Sequence, residues 1–331
     1  MYYEEPYRKK HTRTPRQRER RRRGFGAWLA GALLRLVAFA LILCLLAVGL
    51  LYALPVSLFA VEPEGVELSL NDTLPASRAN ILLLGLDISH ERSQRSDAIM
   101  VASVGYGKLK LTSFQRDIIV DIPGYGTGKL NAAYSHGGPE LVMRTLNENF
   151  SLNITHYAAV DFQALVDLVD AIGGVNLNIT EGEQQVINRT LAKRRSALES
   201  RGYPTDALAQ CGESVHLNGV QALAYASIRK LDSDFVRTSR QRALLGAMIA
   251  QIRSNLYNPL MLVRLARLLT RSVDTNMSIV QLLSLGEKAL AAGTPEKTRL
   301  PVDGSYTDDG SSLRLDDRQQ NIDAFRAFVY D

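Results

Sequence analysis

The chain has 331 residues, two cysteines and a formal net charge of +5. Residues 1–26 alone carry ten lysines and arginines against three glutamates, a net charge of +7, so the rest of the chain sums to −2. The basic character therefore belongs to the tail, and it does not indicate a nucleic-acid-binding domain. Cys44 lies in an apolar segment and Cys211 stands alone beyond it, which excludes an intrachain disulfide in the outer region.

The first predicted element is a membrane-spanning helix. Residues 36–54 carry no charge, and Arg35 is the one charged side chain between Trp28 and Phe59. That length is sufficient to cross a hydrocarbon core. We therefore predict an anchor over residues 27–59, with the basic tail, residues 1–26, in the cytoplasm and residues 60–331 outside it. A cleaved signal peptide is disfavoured because the apolar segment is too long, and Leu51 and Leu58 stand where cleavage requires small residues.

A spacer and one large domain are predicted to follow. Residues 60–78 are polar and contain Pro63 and Pro75, which is typical of a spacer. The domain is predicted over residues 79–331. It begins with a continuous apolar run at 80–85 that is typical of a buried strand. The runs 98–104 and 108–114 predict a hairpin around Gly105-Tyr106-Gly107.

Further strands and helices alternate along the domain. Strands are predicted at 118–122, 156–160, 175–179 and near 299–302, and helices at 161–172, 218–227, 237–257 and 317–330. Residues 181–210 are predicted to form an exposed helix or an insertion. The run Gly124 to Lys129 lacks the first glycine and the Ser/Thr of a P-loop and is interpreted as a flexible turn. The alternation predicts an α/β fold, with a central mixed sheet between helical layers.

Charged side chains stand at the ends of three predicted strands. Asp87 follows the first strand, Asp97 precedes the second and Arg116 follows the third. Ligand sites of open sheets lie at strand ends. In the long helix, Arg237 and Arg240 with Gln241 share one face at the N-terminal end, where backbone donors favour phosphate.

This composition suggests a phosphate site. The guanidinium fork fits phosphate oxygens, and carboxylates hold magnesium against them. Each residue also has a purely structural interpretation: Arg95 with Asp97 as a turn pair, Asp234 as a helix cap, and Arg237 on a solvated face. Such interpretations explain less well why five arginines accompany apolar strand ends: Arg95, Arg116, Arg229, Arg237 and Arg240.

Short sequence blocks follow one another in a fixed order over residues 80–255. The blocks are Gly85-Leu86-Asp87, Arg95-Ser96-Asp97, Phe114-Gln115-Arg116-Asp117, Ile122-Pro123-Gly124-Tyr125-Gly126, Lys129-Leu130-Asn131-Ala132-Ala133-Tyr134, Gly137-Gly138, Ile172-Gly173-Gly174-Val175, Leu217-Asn218-Gly219, Ala222-Leu223-Ala224-Tyr225 and the run 232–242. In this order they resemble the LytR-CpsA-Psr family of bacterial cell-envelope enzymes. The resemblance implies a membrane-anchored phosphotransferase. Such an enzyme moves a glycopolymer, for example wall teichoic acid or capsule, from an undecaprenyl-pyrophosphate carrier to peptidoglycan, with magnesium as cofactor.

The resemblance also implies roles for individual residues. Asp87 and Asp97 become magnesium ligands, and Asp234, with Asp232 as the alternative, becomes the candidate base. The implied pyrophosphate contacts are Arg95, Arg116, Arg229, Arg237, Arg240 and Gln241. The implied partners are the polyprenyl-pyrophosphate-linked glycan, peptidoglycan and the membrane, with no nucleic acid.

Two departures from the family pattern keep alternatives open. Ser227 replaces an arginine that is usual two positions before Arg229, and Val236 replaces a common glycine. A polyprenyl-pyrophosphate hydrolase and a non-catalytic regulator that binds polyprenyl phosphates are therefore the alternative functions.

Overall fold

A computed structural model describes residues 67–87, 95–229 and 234–331, with the side chains of Asp87 and Arg95 outside the description. Within these ranges no helix has the length and apolar character needed to cross a bilayer. The predicted tail and anchor lie outside them. In the described part of the predicted spacer, Leu68 is fully buried, and its carbonyl accepts a hydrogen bond from Asn147 Nδ2 at 2.8 Å.

The described elements alternate between strands and helices, as the apolar periodicity predicts. In chain order they are β1 (Ala79–Asp87), β2 (Arg95–Gly105), β3 (Lys108–Phe114), β4 (Ile119–Ile122), β5 (Gly126–Lys129), α1 (Ala132–Phe150), β6 (His156–Asp161), α2 (Phe162–Ala171), β7 (Val175–Ile179), α3 (Glu181–Glu199), β8 (Gly212–Leu217), α4 (Gly219–Ala226), α5 (Asp234–Ser254), α6 (Pro259–Ser272), β9 (Val273–Thr275), α7 (Ile279–Ala291), β10 (Glu296–Leu300), β11 (Tyr306–Asp308), β12 (Leu313–Leu315) and α8 (Arg318–Tyr330).

A six-stranded mixed sheet forms the centre, in the order β10-β3-β2-β1-β6-β9. β1 pairs antiparallel with β2 and parallel with β6, and β3 pairs parallel with β10. The predicted β2–β3 hairpin is confirmed. Its turn places Tyr106 and Gly107 in the left-handed region, with φ of 51° and 67°.

Helices cover both faces of this sheet, which confirms the predicted layers. On one face α1 and α8 pack against it, and the ring of Phe114 lies 5.1 Å from that of Phe150 and 6.4 Å from that of Phe325. On the other face α7 contributes Leu285 and α5 contributes Leu245 and Ile249. Successive side chains of a strand point to opposite faces, so both helical layers are needed to bury the apolar strands.

A second core is formed by helices α2 to α6 and the two-stranded antiparallel sheet of β7 and β8. Gly173 and Gly174, both at φ +85°, end α2 where the sequence predicts a stop. Segment 181–210 contains α3, which begins with a capping box between Thr180 and Glu183. Its Ile187 is fully buried, so this helix is partly covered by the core.

Two sequence interpretations differ from the structure. The run read as a flexible turn contains β5, which pairs antiparallel with β4 over residues 126–129 and is therefore a strand. The strand predicted near 299–302 ends earlier, at Leu300, because its register is set by parallel pairing with β3. Neither pairing can be read from local composition.

Candidate functional site

Asp97 reaches the site from a bulge in β2. The β1–β2 pairing passes from Leu86 opposite Ser96 to Gly85 opposite Ala98, so Asp97 is the extra residue. Bulges change the direction of a side chain at the end of a strand. One carboxylate oxygen of Asp97 accepts a hydrogen bond from Arg116 Nη1 at 2.6 Å, and the other accepts one from Arg229 Nη2.

Arg116, just beyond β3, is the centre of this network. Its Nη1 donates to Asp97, and its Nε lies 3.2 Å from Oδ2 of both Asp117 and Asp234. Burial alone would lower the pKa of Arg116, but the three carboxylates raise it. The network therefore fixes a permanently charged guanidinium at the end of the sheet.

Arg237 is the most deeply buried cation of the site. It lies one turn into α5, is 2% exposed, and donates through Nη2 to Asp234 Oδ2 at 3.2 Å. Within the described residues its Nε and Nη1 have no hydrogen-bond partner. Burial, followed by the nearby charge of Arg116, lowers the pKa of Arg237. Buried donors without a partner are costly, and a phosphate would supply the missing acceptors.

Asp234 joins the two arginines. Burial is the largest single effect and alone would raise its pKa, but Arg237 and Arg116, with Asp117, together outweigh burial and hold the pKa below its usual range. Asp234 is therefore ionised at neutral pH in this arrangement. A carboxylate stabilised in this way is a weak proton acceptor until one of its cationic partners moves.

The predicted polar face of α5 divides between two neighbours. Arg240 is also buried, but its Nε donates at 2.7 Å to Oε1 of Glu183 on α3. Gln241 is half-buried, one turn beyond Arg237. Residues three apart on a helix differ in direction by about 60°, which is sufficient to separate Arg237 from Arg240.

Three predicted site residues have no described side chain. Asp232 lies outside the described residues, and Asp87 and Arg95 are described only by their backbone, where they pair across β1 and β2. The sequence did not predict Asp117 or Lys129 as site residues. In the structure, Lys129 Nζ lies 3.4 Å from Asp117 Oδ1. Their positions in the Arg116-Asp117 and Lys129-Leu130-Asn131 blocks were the available signal.

Carboxylate oxygens are the type of ligand that magnesium prefers. Asp87 and Asp97 stand at the ends of neighbouring strands, and magnesium takes one or two carboxylates and completes its shell with phosphate oxygens and water. No group of three His, Cys, Asp or Glu residues in the described ranges could hold a metal by itself. Because both oxygens of Asp97 accept hydrogen bonds from arginines, a metal ion there would compete with these two bonds.

Comparisons with known proteins agree with this architecture. A model of the LytR_cpsA_psr family matches residues 61–326. Regulatory protein MsrR of Staphylococcus aureus (strain COL) is 30% identical over 264 residues, which cover 76% of this chain and 74% of MsrR. The teichoic acid transferase TagU of Oceanobacillus iheyensis, named as acting between polyisoprenyl-teichoic acid and peptidoglycan, is 30% identical over 73% of this chain and 74% of its own.

Solved structures share the fold. TagT bound to LI-WTA superposes with a TM-score of 0.63 at 23% identity and covers 81% of this chain and 97% of its own. Bacillus subtilis TagT superposes with a TM-score of 0.57 at 24% identity, covering 76% and 89%. With a family match across most of the domain and relatives of this similarity, the chain belongs to the LytR-CpsA-Psr family.

Proposed function

We propose that this protein transfers a glycopolymer from a polyprenyl-pyrophosphate carrier to a hydroxyl group of peptidoglycan, at the outer face of the membrane. Arg237 carries the proposal, because a buried guanidinium with two donors open within the described residues requires an anion. A diphosphate supplies acceptors on two adjacent groups. The further cations of the site are Arg116, which bonds to Asp234 as Arg237 does, and Arg229, which bonds to Asp97. The name of TagU, a transferase of teichoic acid to peptidoglycan, supports this class of reaction.

The proposed step replaces a phosphoanhydride bond of the donor with a phosphoester bond to the acceptor. The acceptor hydroxyl oxygen bonds to the phosphorus that carries the glycan, the bond from this phosphorus to the bridging oxygen breaks, and polyprenyl phosphate leaves with that electron pair. Arg237 and Arg116 stabilise the negative charge that develops on the phosphate oxygens. Magnesium held by Asp87 and Asp97 would contribute further charge neutralisation at the diphosphate.

Asp234 is the described candidate for the proton acceptor. Its pKa is low because Arg237 and Arg116 bond to it. When a diphosphate recruits Arg237, Asp234 loses part of that stabilisation, and its pKa rises toward the ordinary range. Proton acceptance is thereby coupled to donor binding. Asp232 stays the alternative base.

A non-catalytic binder of polyprenyl phosphates is the second candidate, and Ser227 is the observation that favours it. Ser227 is the C-cap residue of α4, and its backbone N–H donates to carbonyls within that helix. A serine hydroxyl there replaces a guanidinium that the family usually has. One fewer cation reduces transition-state stabilisation as well as affinity.

Reconstitution distinguishes these functions. The full chain in lipid nanodiscs is incubated with a labelled polyprenyl-pyrophosphate glycan, magnesium and peptidoglycan, and product is followed in the peptidoglycan and in the soluble fraction. Label in peptidoglycan supports transfer, release to solution indicates hydrolysis, and bound but unconverted donor indicates a binder.

Asp97→Asn tests the site within the same assay. We expect transfer to fall at least ~100-fold, because the substitution removes a charge that two arginines and the metal share. Asp121→Asn is the matched control, since Asp121 is an exposed aspartate on β4 that accepts a hydrogen bond from Arg318, outside the network. Equal activity of the two variants would refute the site assignment.

A further inference from the structure

Exposed apolar side chains gather at one end of the domain. Ten large apolar side chains of the described residues are exposed, and all but Tyr125 and Val236 belong to one set. We call this set the entry-end surface, because the chain enters the domain at this end. It comprises Tyr106, Leu256, Tyr257, Leu260, Val263, Ile279, Val280 and Leu283. Tyr257 is 82% exposed and Leu260 is 69% exposed. Scattered apolar residues are normal on a surface, but a concentration of this kind marks an interaction site.

The strand directions place these residues together. β1 begins at Ala79 opposite Val104, so the β2–β3 turn with Tyr106 lies where β1 starts. β6 runs parallel to β1, and Gln281 near the start of α7 contacts His156, the first residue of β6. The first turn of α7, with Ile279, therefore lies at the same end.

The α5–α6 turn reaches this end from the opposite direction. α5 starts at Asp234 in the candidate site and has 21 residues, a length of about 30 Å. In its middle, Leu245 and Ile249 pack on a cluster formed by Ala79 and the beginning of β3. Leu256, Tyr257 and Leu260 follow the end of α5 and lie far from the arginine network.

The chain also enters the domain here. Leu68 is held by Asn147 near the C-terminal end of α1, and the N–H of Asn71 donates to the Leu152 carbonyl. Leu152 precedes the start of β6 by a few residues. The described chain thus begins at the entry end, and residues 60–66 separate it from the predicted anchor.

Arginines surround the apolar tip of α6. Leu260, Arg264, Arg267 and Arg271 have i, i+4, i+7 and i+11 spacing and share one exposed face. Arg253 lies in the last turn of α5, close in sequence to Leu256. Segment 253–283 contains four arginines and one acidic residue, Asp274. Apolar side chains at a helix tip with arginines one to two turns behind are suited to a bilayer surface, because the guanidiniums reach lipid phosphates while the tip enters the acyl boundary.

We propose that the entry-end surface docks the domain on a bilayer rich in anionic phospholipid. Tyr257 and Leu260 enter the headgroup region, and Arg253, Arg264 and Arg267 contact lipid phosphates. The arginine network then faces away from the bilayer, about the length of α5 from it. The docking proposal depends on the predicted anchor, which keeps the domain next to the bilayer. It does not depend on the proposed transfer reaction.

Fluorophore depth measurements test the docking. The full chain, with Cys44 and Cys211 replaced by serine, carries an environment-sensitive fluorophore at Leu260→Cys in nanodiscs of phosphatidylglycerol and phosphatidylcholine. Tyr125→Cys is the matched control, because Tyr125 is 57% exposed and stacks on His136 near the other end of α1. We expect blue-shifted emission and quenching by spin-labelled lipid at position 260, and neither at position 125.

Two further variants define the outcome. Arg264→Gln with Arg267→Gln should weaken quenching at position 260, as should discs of phosphatidylcholine alone. Identical emission at positions 260 and 125 would overturn docking. Unchanged quenching in the arginine variant would overturn the role of the anionic headgroups.

Kinetics separate docking from the proposed transfer. Leu260→Ser should lower the ratio of docked to undocked domain about tenfold, as expected for losing one buried leucine, when this ratio is measured from lipid quenching of a fluorophore at Tyr257→Cys. It should leave KM for a short-chain, water-soluble donor unchanged. A rise in that KM would assign Leu260 to ligand binding and overturn docking. Absence of transfer would refute the proposed function, while the fluorophore measurement still decides docking.

Discussion

Replacing Arg237 with methionine should separate stability from activity. Arg237 is 2% exposed, and in the described residues only its Nη2 has a partner, Asp234 at 3.2 Å. A methionine side chain occupies a similar space to the aliphatic part of Arg237 and has no charge to desolvate. Asp234 keeps its hydrogen bond from Arg116. Because replacing an imperfectly paired buried ion with an apolar residue is often neutral or favourable, we expect the unfolding free energy to stay constant or rise by up to ~2 kcal/mol.

Arg240 supplies the contrasting case on the same helix. It is 5% exposed, and its Nε bonds at 2.7 Å to Glu183, whose side chain is itself 11% exposed. Arg240→Met leaves a buried carboxylate without this partner, which should cost about 3–5 kcal/mol. The two substitutions remove the same group from sites three residues apart and are expected to change stability in opposite directions.

Thermal unfolding of the full chain in detergent, followed by circular dichroism, measures both effects. A change of 1 kcal/mol should shift Tm by about 2–4 °C for a domain of this size. Transfer by Arg237→Met should fall about 100-fold or more, equivalent to about 3 kcal/mol of transition-state stabilisation. If Arg237→Met lowers Tm as much as Arg240→Met, Arg237 is a structural ion-pair residue and the phosphate assignment is wrong.

The site and the core provide further expectations. Burial lowers the pKa of His156, so the unfolded chain binds a proton at this residue more readily than the folded chain. The free energy of unfolding should therefore fall as the pH drops below about 6.5. Urea titrations at several pH values should show this dependence, and His156→Gln should remove it. Gly219→Ala would bring a Cβ within 2.3 Å of a carbonyl oxygen of α2 and should lower the free energy of unfolding by about 2 kcal/mol or more. The Cβ of Gly286→Ala meets no atom within 4 Å, so this substitution should raise the free energy of unfolding by up to about 1 kcal/mol. Equilibrium unfolding measures both changes. Asp117→Asn should lower kcat/KM about tenfold, because it removes the charge from a hydrogen bond to Arg116. If the substitution changes only Tm and not kcat/KM, Asp117 has a structural role.

Local patterns were sufficient for most elements of the fold. Period-two alternation over 108–114 and the Gly-Tyr-Gly turn identify the hairpin, and the apolar spacing before Gly173 identifies α2 and its end. These signals are contained within a few residues. β5 was missed because a glycine-rich strand has no apolar alternation, and it is a strand only through its pairing with β4.

The candidate site was only partly accessible from sequence. Strand ends and charge identify Asp97, Arg116 and Arg237, because the topology of an open sheet brings such positions together. The division between Arg237 and Arg240 depends on Glu183, which lies 57 residues from Arg240 along the chain. No local pattern contains that contact, since a helix face defines directions but not the neighbour that each direction meets.

Charge pairing is a reason to expect that a site with several arginines also uses a metal. Among the described side chains, four cations pair with three carboxylates: Arg116, Arg229, Arg237 and Lys129 with Asp97, Asp117 and Asp234. A network paired in this way has little long-range attraction for a diphosphate. Arg237 has two open donors, whereas Arg116, which bonds to three carboxylates, must give up part of this pairing to bind a phosphate. A cation bound at Asp97 would compete with Arg116 and Arg229, since both bond to that one carboxylate, and would weaken both bonds. Asp97 would then couple metal binding to donor binding, which is the physical reason to expect a large effect from Asp97→Asn and little from an aspartate outside the network.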